Sequence, residues 1–179
     1  YAPKEMTELF DLQRRMFCQT FEYELVFHPL ETTRSEVVYE DKSLTVTTVP
    51  LSHRVPCCGF LFKEKPLQPH LNREMLDFYE IPRSQFNNIK QGQDWTTADG
   101  ETIPNSRLVL PADKPLSYAF CSDTRYMPDL HKLVYGVDVI YHESTYGDKD
   151  AANARKYYHS TASEAARVAS DSCAGLLLL

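Results

Sequence analysis

Ser117-Tyr118-Ala119-Phe120-Cys121-Ser122-Asp123-Thr124-Arg125 and, shortly after, Val137-Asp138-Val139-Ile140-Tyr141-His142-Glu143-Ser144-Thr145 decide how this chain reads. Each stretch is a short apolar or aromatic run that stops at an acid or an imidazole. Residues 117–121 and 137–141 therefore read as strands, the second of them buried. Between them, residues 127–135 read as a short helix that ends near Gly136. Strand, helix and strand in succession make an α/β protein. In such folds ligands gather beyond the carboxyl ends of the strands, which is where Asp123, His142 and Glu143 fall.

The same pattern extends outward. Upstream, residues 43–51 read as a long strand, with Leu44, Val46 and Thr48 on one face and Thr45, Thr47 and Val49 on the other. His53 follows it, and residues 57–62 form a further strand. Residues 23–27, rich in aromatic and aliphatic side chains, and residues 37–39 read as two more strands. Residues 3–18 read as a helix with Pro3 in its first turn. Downstream, Thr161 and Glu164 form a capping box that starts a helix over 162–173; Gly175 ends it, and residues 176–179 begin another strand. Residues 63–107 differ. Pro66, Pro69, Pro82 and Pro104 interrupt them and their apolar residues follow no period, so they read as an irregular inserted arm. Within it, residues 72–79 suit a short helix capped by Asn72.

The chain has 179 residues, 42% hydrophobic and 12% aromatic, which suits one folded domain over 1–179 and argues against disorder. No stretch offers the roughly 20 apolar residues that a membrane helix needs, and Tyr1-Ala2-Pro3-Lys4-Glu5 has no signal-peptide character. Five cysteines without framework spacing read as reduced thiols, mostly in the core, in a cytoplasmic protein. The net charge of −6 opposes any broad attraction to nucleic acid, so RNA affinity would need a local patch or bound metal. The chain starts at Tyr1 and stops inside an apolar run at Leu179, and both ends are expected to be cut.

Chemistry concentrates in four places. His53, Asp123 and the His142-Glu143 pair each follow a strand and together suit metal or acid–base work, although each alone serves as readily as a turn or cap residue. His159 lies just before the capped helix, whose free amides favour an anion. That same positive end disfavours an imidazolium, so His159 as an acid needs a carboxylate beside it; Glu143 is the candidate, and a plain cap is the alternative.

These residues carry a resemblance. Leu51-Ser52-His53-Arg54-Val55-Pro56-Cys57-Cys58-Gly59-Phe60 resembles the segment with the third zinc-binding His of ribonuclease Z. Ser122-Asp123-Thr124-Arg125 resembles its Gly/Ser-Asp-Thr motif, and His142-Glu143-Ser144-Thr145 its His-Glu-Ala-Thr loop with Ser144 in place of Ala. His159-Ser160-Thr161-Ala162 resembles its His-Ser-Thr loop. The resemblance covers the whole chain, most strongly from Leu51 onward. It implies a metallo-β-lactamase fold, an αββα sandwich of which this chain is the C-terminal larger part. It implies two zinc ions, with His53 and Asp123 as metal ligands, Asp123 bridging. Glu143 and His159 would be the catalytic pair assisting the leaving group, with His142 supporting the loop. It further implies a homodimer acting on precursor tRNA.

Three departures accompany it. The family's His-x-His-x-Asp-His motif is absent, as is the last zinc His of its Gly-His-Phe/Tyr-Ser motif, so the chain by itself is expected to be inactive. The arm at 63–107 is not basic: Lys63, Lys65, Arg73, Arg83, Lys90 and Arg107 face Glu64, Glu74, Asp77, Glu80, Asp94, Asp99 and Glu101. Two other readings stay open: another phosphodiesterase of the same fold, or a non-catalytic fragment that docks RNA or dimerises.

Overall fold

The computed structural model describes residues 1–17 and 21–179. In chain order the elements are α1 (Glu5–Phe17), β1 (Val37–Glu40), β2 (Leu44–Pro50), β3 (Cys58–Glu64), β4 (His70–Leu71), α2 (Arg73–Phe78), α3 (Phe86–Lys90), β5 (Trp95–Thr96), β6 (Thr102–Ile103), α4 (Asn105–Leu108) and β7 (Val109–Leu110). They continue with β8 (Ser117–Cys121), α5 (Leu130–Leu133), β9 (Val139–His142), α6 (Ala151–Tyr157), α7 (Ala162–Asp171) and β10 (Leu176–Leu178). The chain divides into two compact units, Tyr1–Glu64 with Leu116–Leu179, and Lys65–Pro115.

The first unit is built on one sheet of order β1-β2-β3-β8-β9-β10. β2 and β8 both run antiparallel to β3, while β8, β9 and β10 are parallel. It follows that β2, β8, β9 and β10 all point the same way, and the loops after β2, β8 and β9 leave from one edge. This edge carries His53, Asp123 and Glu143.

Side chains alternate across the sheet. One face sends Val49, Leu61, Ala119, Cys121 and Ile140 into the core against Leu130, Val134, Val168 and Ala169 from α5, α7 and their flanks. Parallel strands with helices over them bury apolar runs in this way. The sheet approaches itself closely at one point: a Cβ on Gly59 would collide with the carbonyl oxygen of Phe120. The other face is aromatic. Phe62 stacks on Tyr118 and Phe120 on Tyr141, and Phe62, Phe120, Leu176 and Leu178 stay exposed. Leu44, Phe62, Leu116, Tyr118, Val139 and Leu178 line a depression of about 540 Å³ there. The described residues thus supply one sheet and one helical layer.

The second unit folds around Leu76, Ile81, Ile89, Ile103 and Leu108, with Trp95 and Phe86 packed on them. Asn72 caps α2 through its side chain, which accepts from the Met75 amide. A stretch with no visible period thus has a core of its own, assembled from short elements too brief to repeat.

Several sequence expectations need correction. Residues 23–27 form no strand; Tyr23 and Val26 are exposed, and no neighbouring strand pairs with them among the described residues. α1 ends at Phe17 and buries none of its residues; Cys18, the expected end, lies outside the described residues. α5 spans only Leu130–Leu133 because Pro128 sits before it and Gly136, at φ 71°, turns the chain after it. The cysteines are not mostly core: among the described ones Cys121 is buried, Cys57 and Cys58 are half-buried and Cys173 is exposed. Burial pushes the Cys121 thiol up to about 12. α6 was not foreseen at all, since it stops at Tyr158 in the left-handed conformation rather than at a glycine.

Candidate functional site

Loops that meet at the strand edge are tied by their own backbones. The Ser52 amide donates to Thr124 Oγ1 at 3.1 Å, and the Arg125 amide donates to the Ser52 carbonyl at 2.9 Å. These bonds lace the segment bearing His53 to the segment bearing Asp123. Ser160 Oγ donates to the Thr124 carbonyl at 2.7 Å, which fastens the turn before α7 to the same place. Thr161 caps α7 with a complete capping box, so the helix start is fixed in register.

Glu143 is the hub. It is 4% exposed, and its carboxylate accepts from the segments at Thr124, Thr145 and His159–Ser160. Oε1 accepts from the Thr124 amide at 3.1 Å, the Ser160 amide at 3.1 Å and His159 Nδ1 at 2.9 Å. Oε2 accepts from the Thr145 amide at 2.9 Å and the Thr145 hydroxyl at 2.8 Å. Burial alone would raise the Glu143 carboxyl, but the bonds from Thr145, Thr124 and His159 outweigh it and hold it below the usual carboxylate value.

His159 is oriented by this carboxylate. With Nδ1–H committed to Glu143, and Thr145 Oγ1 also 3.2 Å from that nitrogen, the opposite nitrogen points away from the pair. The His53 ring stands edge-on to it, with centroids 5.1 Å apart. His53 Nδ1 lies 3.0 Å from the Tyr158 carbonyl. A carbonyl only accepts, so Nδ1 carries a proton, and in the neutral ring this leaves the lone pair on Nε2. That is the tautomer a metal-binding imidazole requires, held by the backbone contact that such ligands commonly use.

The expected residues therefore meet in part. His53, Glu143 and His159 form one chain of contacts. Asp123 lies on the same edge with its side chain exposed; its carbonyl is 3.4 Å from Cys57 Sγ. Among the described residues no three His, Cys, Asp or Glu side chains gather closely enough to hold a metal ion. His53 fits a metal by its tautomer and Asp123 by its exposed carboxylate, but the pair does not complete a coordination sphere. His142 is fully buried. Its Nδ1 donates to the Glu143 carbonyl at 2.8 Å and its Nε2 has no partner among the described residues. Burial lowers its pKa, against the opposing pull of the Glu143 carbonyl bond and the Glu143 and Glu164 charges.

No family model matches. The ribonuclease Z of Bacteroides fragilis is 47% identical over 169 residues, 94% of this chain and 56% of that protein. Over nearly its whole length the chain is similar to ribonuclease Z. Ribonuclease Z of Phocaeicola vulgatus is 44% identical over 92% of the chain and 53% of its own length, and that of Porphyromonas gingivalis 43% over 91% and 54%. The chain thus spans about half the length of the curated relatives it matches. In structure, the short form of human tRNase Z superposes with a TM-score of 0.61 at 17% identity, covering 99% of this chain and 57% of that one. A metallo-β-lactamase fold protein of Bacillus subtilis gives 0.51 at 12% identity, over 94% and 48%. These two likenesses establish the metallo-β-lactamase fold.

For a ribonuclease Z homologue, the sequence reading missed the residues that build the hub. Thr124, Thr145 and Ser160 hold Glu143, and Tyr158 holds His53. The available signal was a hydroxyl residue just after Asp123 and His159 and two after Glu143. Small hydroxyl side chains in buried loops commonly brace a charge.

Proposed function

We propose that this chain is the part of a tRNA 3′-processing endoribonuclease that supplies its acid and two of its zinc ligands. The observation that carries the reading is the His159–Glu143 contact at 2.9 Å, with the His53 ring beside it, in a ribonuclease Z homologue. His53 and Asp123 are the residues that would hold zinc, together with ligands these residues do not provide. Bound zinc lowers the pKa of water and neutralises charge on a phosphate.

The residues of the chain itself supply the acid side of the reaction. Glu143, kept ionised by its hydrogen bonds, offsets the positive end of α7 and orients His159 through Nδ1. Water attacks phosphorus, releasing its proton to solvent, as the bond to the tRNA O3′ breaks. His159 delivers its outer proton to that oxygen as it leaves. The products are a tRNA 3′-hydroxyl and a trailer with a 5′ phosphate. The arm at 63–107 would contact the tRNA away from the cut. A homodimer in the cytoplasm completes the reading, and light scattering of the purified complete protein tests the dimer. No helix of the described residues is long and apolar enough to cross a membrane.

In the complete protein, His159→Ala is expected to slow single-turnover cleavage of a 3′-extended tRNA by roughly 10²–10⁴. Binding of the same RNA should change by no more than about threefold. Equal loss of rate and binding would remove the acid role. A second reading, a phosphodiesterase for small diesters, is favoured by the net charge of −6. Faster hydrolysis of bis(p-nitrophenyl) phosphate than of precursor tRNA would establish it instead.

A further inference from the structure

Tyr158 is a non-glycine residue at φ 62°, ψ 43°, where an L side chain costs roughly 1 kcal/mol. Such conformations persist where surrounding contacts over-determine them. Its amide closes α6 by donating to the Ala154 and Arg155 carbonyls, and its own carbonyl holds His53. Its ring lies under Arg125, with the guanidinium carbon 5.1 Å from the centroid. Arg125 is itself fixed at the backbone, because its amide is bonded to Ser52 beside His53.

This fixes an exposed cation between the Ser52 and Tyr158 segments that flank His53. A guanidinium stacked by its face keeps its edges free, and those edges match two oxygens of a phosphate. Among the described residues no carboxylate pairs with Arg125. Arg54 is exposed beside His53 too, but among the described residues no side-chain contact aims it. A protein of net charge −6 gains little from diffuse attraction to RNA, so a placed cation at the cut matters more.

We propose that Arg125, laid over Tyr158, grips a backbone phosphate of the RNA next to the scissile bond. The proposal rests on the nuclease reading above and adds a substrate-binding residue that the motifs do not assign. It predicts that Arg125 acts through binding and leaves the acid alone.

The test uses the complete, metal-loaded protein carrying His159→Ala, titrated with a 3′-extended tRNA and separately with a short single-stranded RNA across a salt series. Arg125→Gln is expected to weaken binding by about 5–30-fold at low salt and to reduce the slope of log affinity against log salt by about one phosphate contact, roughly 0.7–0.9. Arg125→Lys should keep the slope and lose part of the affinity, since lysine carries the charge without the stacking plane. Arg167→Gln, which removes a cation lying over Tyr126, should leave the slope unchanged. Unchanged affinity and slope in Arg125→Gln would overturn the contact while leaving the nuclease reading standing. If the protein without His159→Ala does not cut the precursor, yet the short RNA still shows the Arg125-dependent slope, the nuclease reading falls and the contact stands. Failure to bind either RNA would overturn both.

Discussion

Glu143 takes donors from Thr124, Thr145, His159 and Ser160, and a group so engaged is costly to neutralise. Glu143→Gln keeps the shape but puts an NH₂ donor against donors, leaving buried amides without an acceptor. The expected loss is about 2–3 kcal/mol of stability, measurable by urea unfolding. The pH dependence has a definite sign. The carboxyl is held below its ordinary value when folded. Its contribution is complete above the unfolded glutamate value, about 4.3, and is lost as pH falls through the depressed folded value. The stability gap between the parent and Glu143→Gln should therefore narrow in acid; a constant gap would mean that the hydrogen bonds and not the charge set it. At this scale the sequence was informative about identity and silent about support. His53, Asp123, Glu143 and His159 stood out because each follows a strand or precedes a cap. Thr124 and Thr145 did not, because a threonine after an acid reads as an ordinary turn until the loops are seen to meet.

Strands and helices were legible wherever packing obeyed a period. β2 follows from alternation, β8 and β10 from short apolar runs, and the capped start of α7 from Thr161 with Glu164. Residues 23–27 misled because aromatic richness favours a strand only where a partner strand supplies hydrogen bonds. The core of the second unit was illegible for the opposite reason: Leu76, Ile81, Ile89, Ile103 and Leu108 come from elements of a few residues each. One close element contact is at Gly59, in β3 against β8. Gly59→Ala must push the Phe120 carbonyl away within a paired strand, and a cost of roughly 1–3 kcal/mol is expected by thermal or urea unfolding. A neutral result would mean that β3 shifts freely along β8, which its pairing from Phe60 to Lys63 opposes.

The whole first unit has a covered face and a bare one. Helices seal Val49, Leu61, Ala119 and Ile140, while Phe62, Phe120, Leu176 and Leu178 face outward on a surface larger than scattered exposed side chains make. All the polar chemistry collects at a third place, the strand edge, and there one buried carboxylate joins segments that lie far apart along the chain. A consequence follows for how this edge opens. The amides of Thr124, Thr145 and Ser160 share Glu143 as acceptor, so none is released to solvent unless that carboxylate lets go. Deuterium uptake at the three should proceed as a single opening event with one common free energy, and Glu143→Gln should speed all three together, as expected of a cooperative unit. Three unrelated rates would mean that the loops breathe separately. The edge would then be a set of neighbours rather than one latch, and motion in any one loop would leave the other two in place.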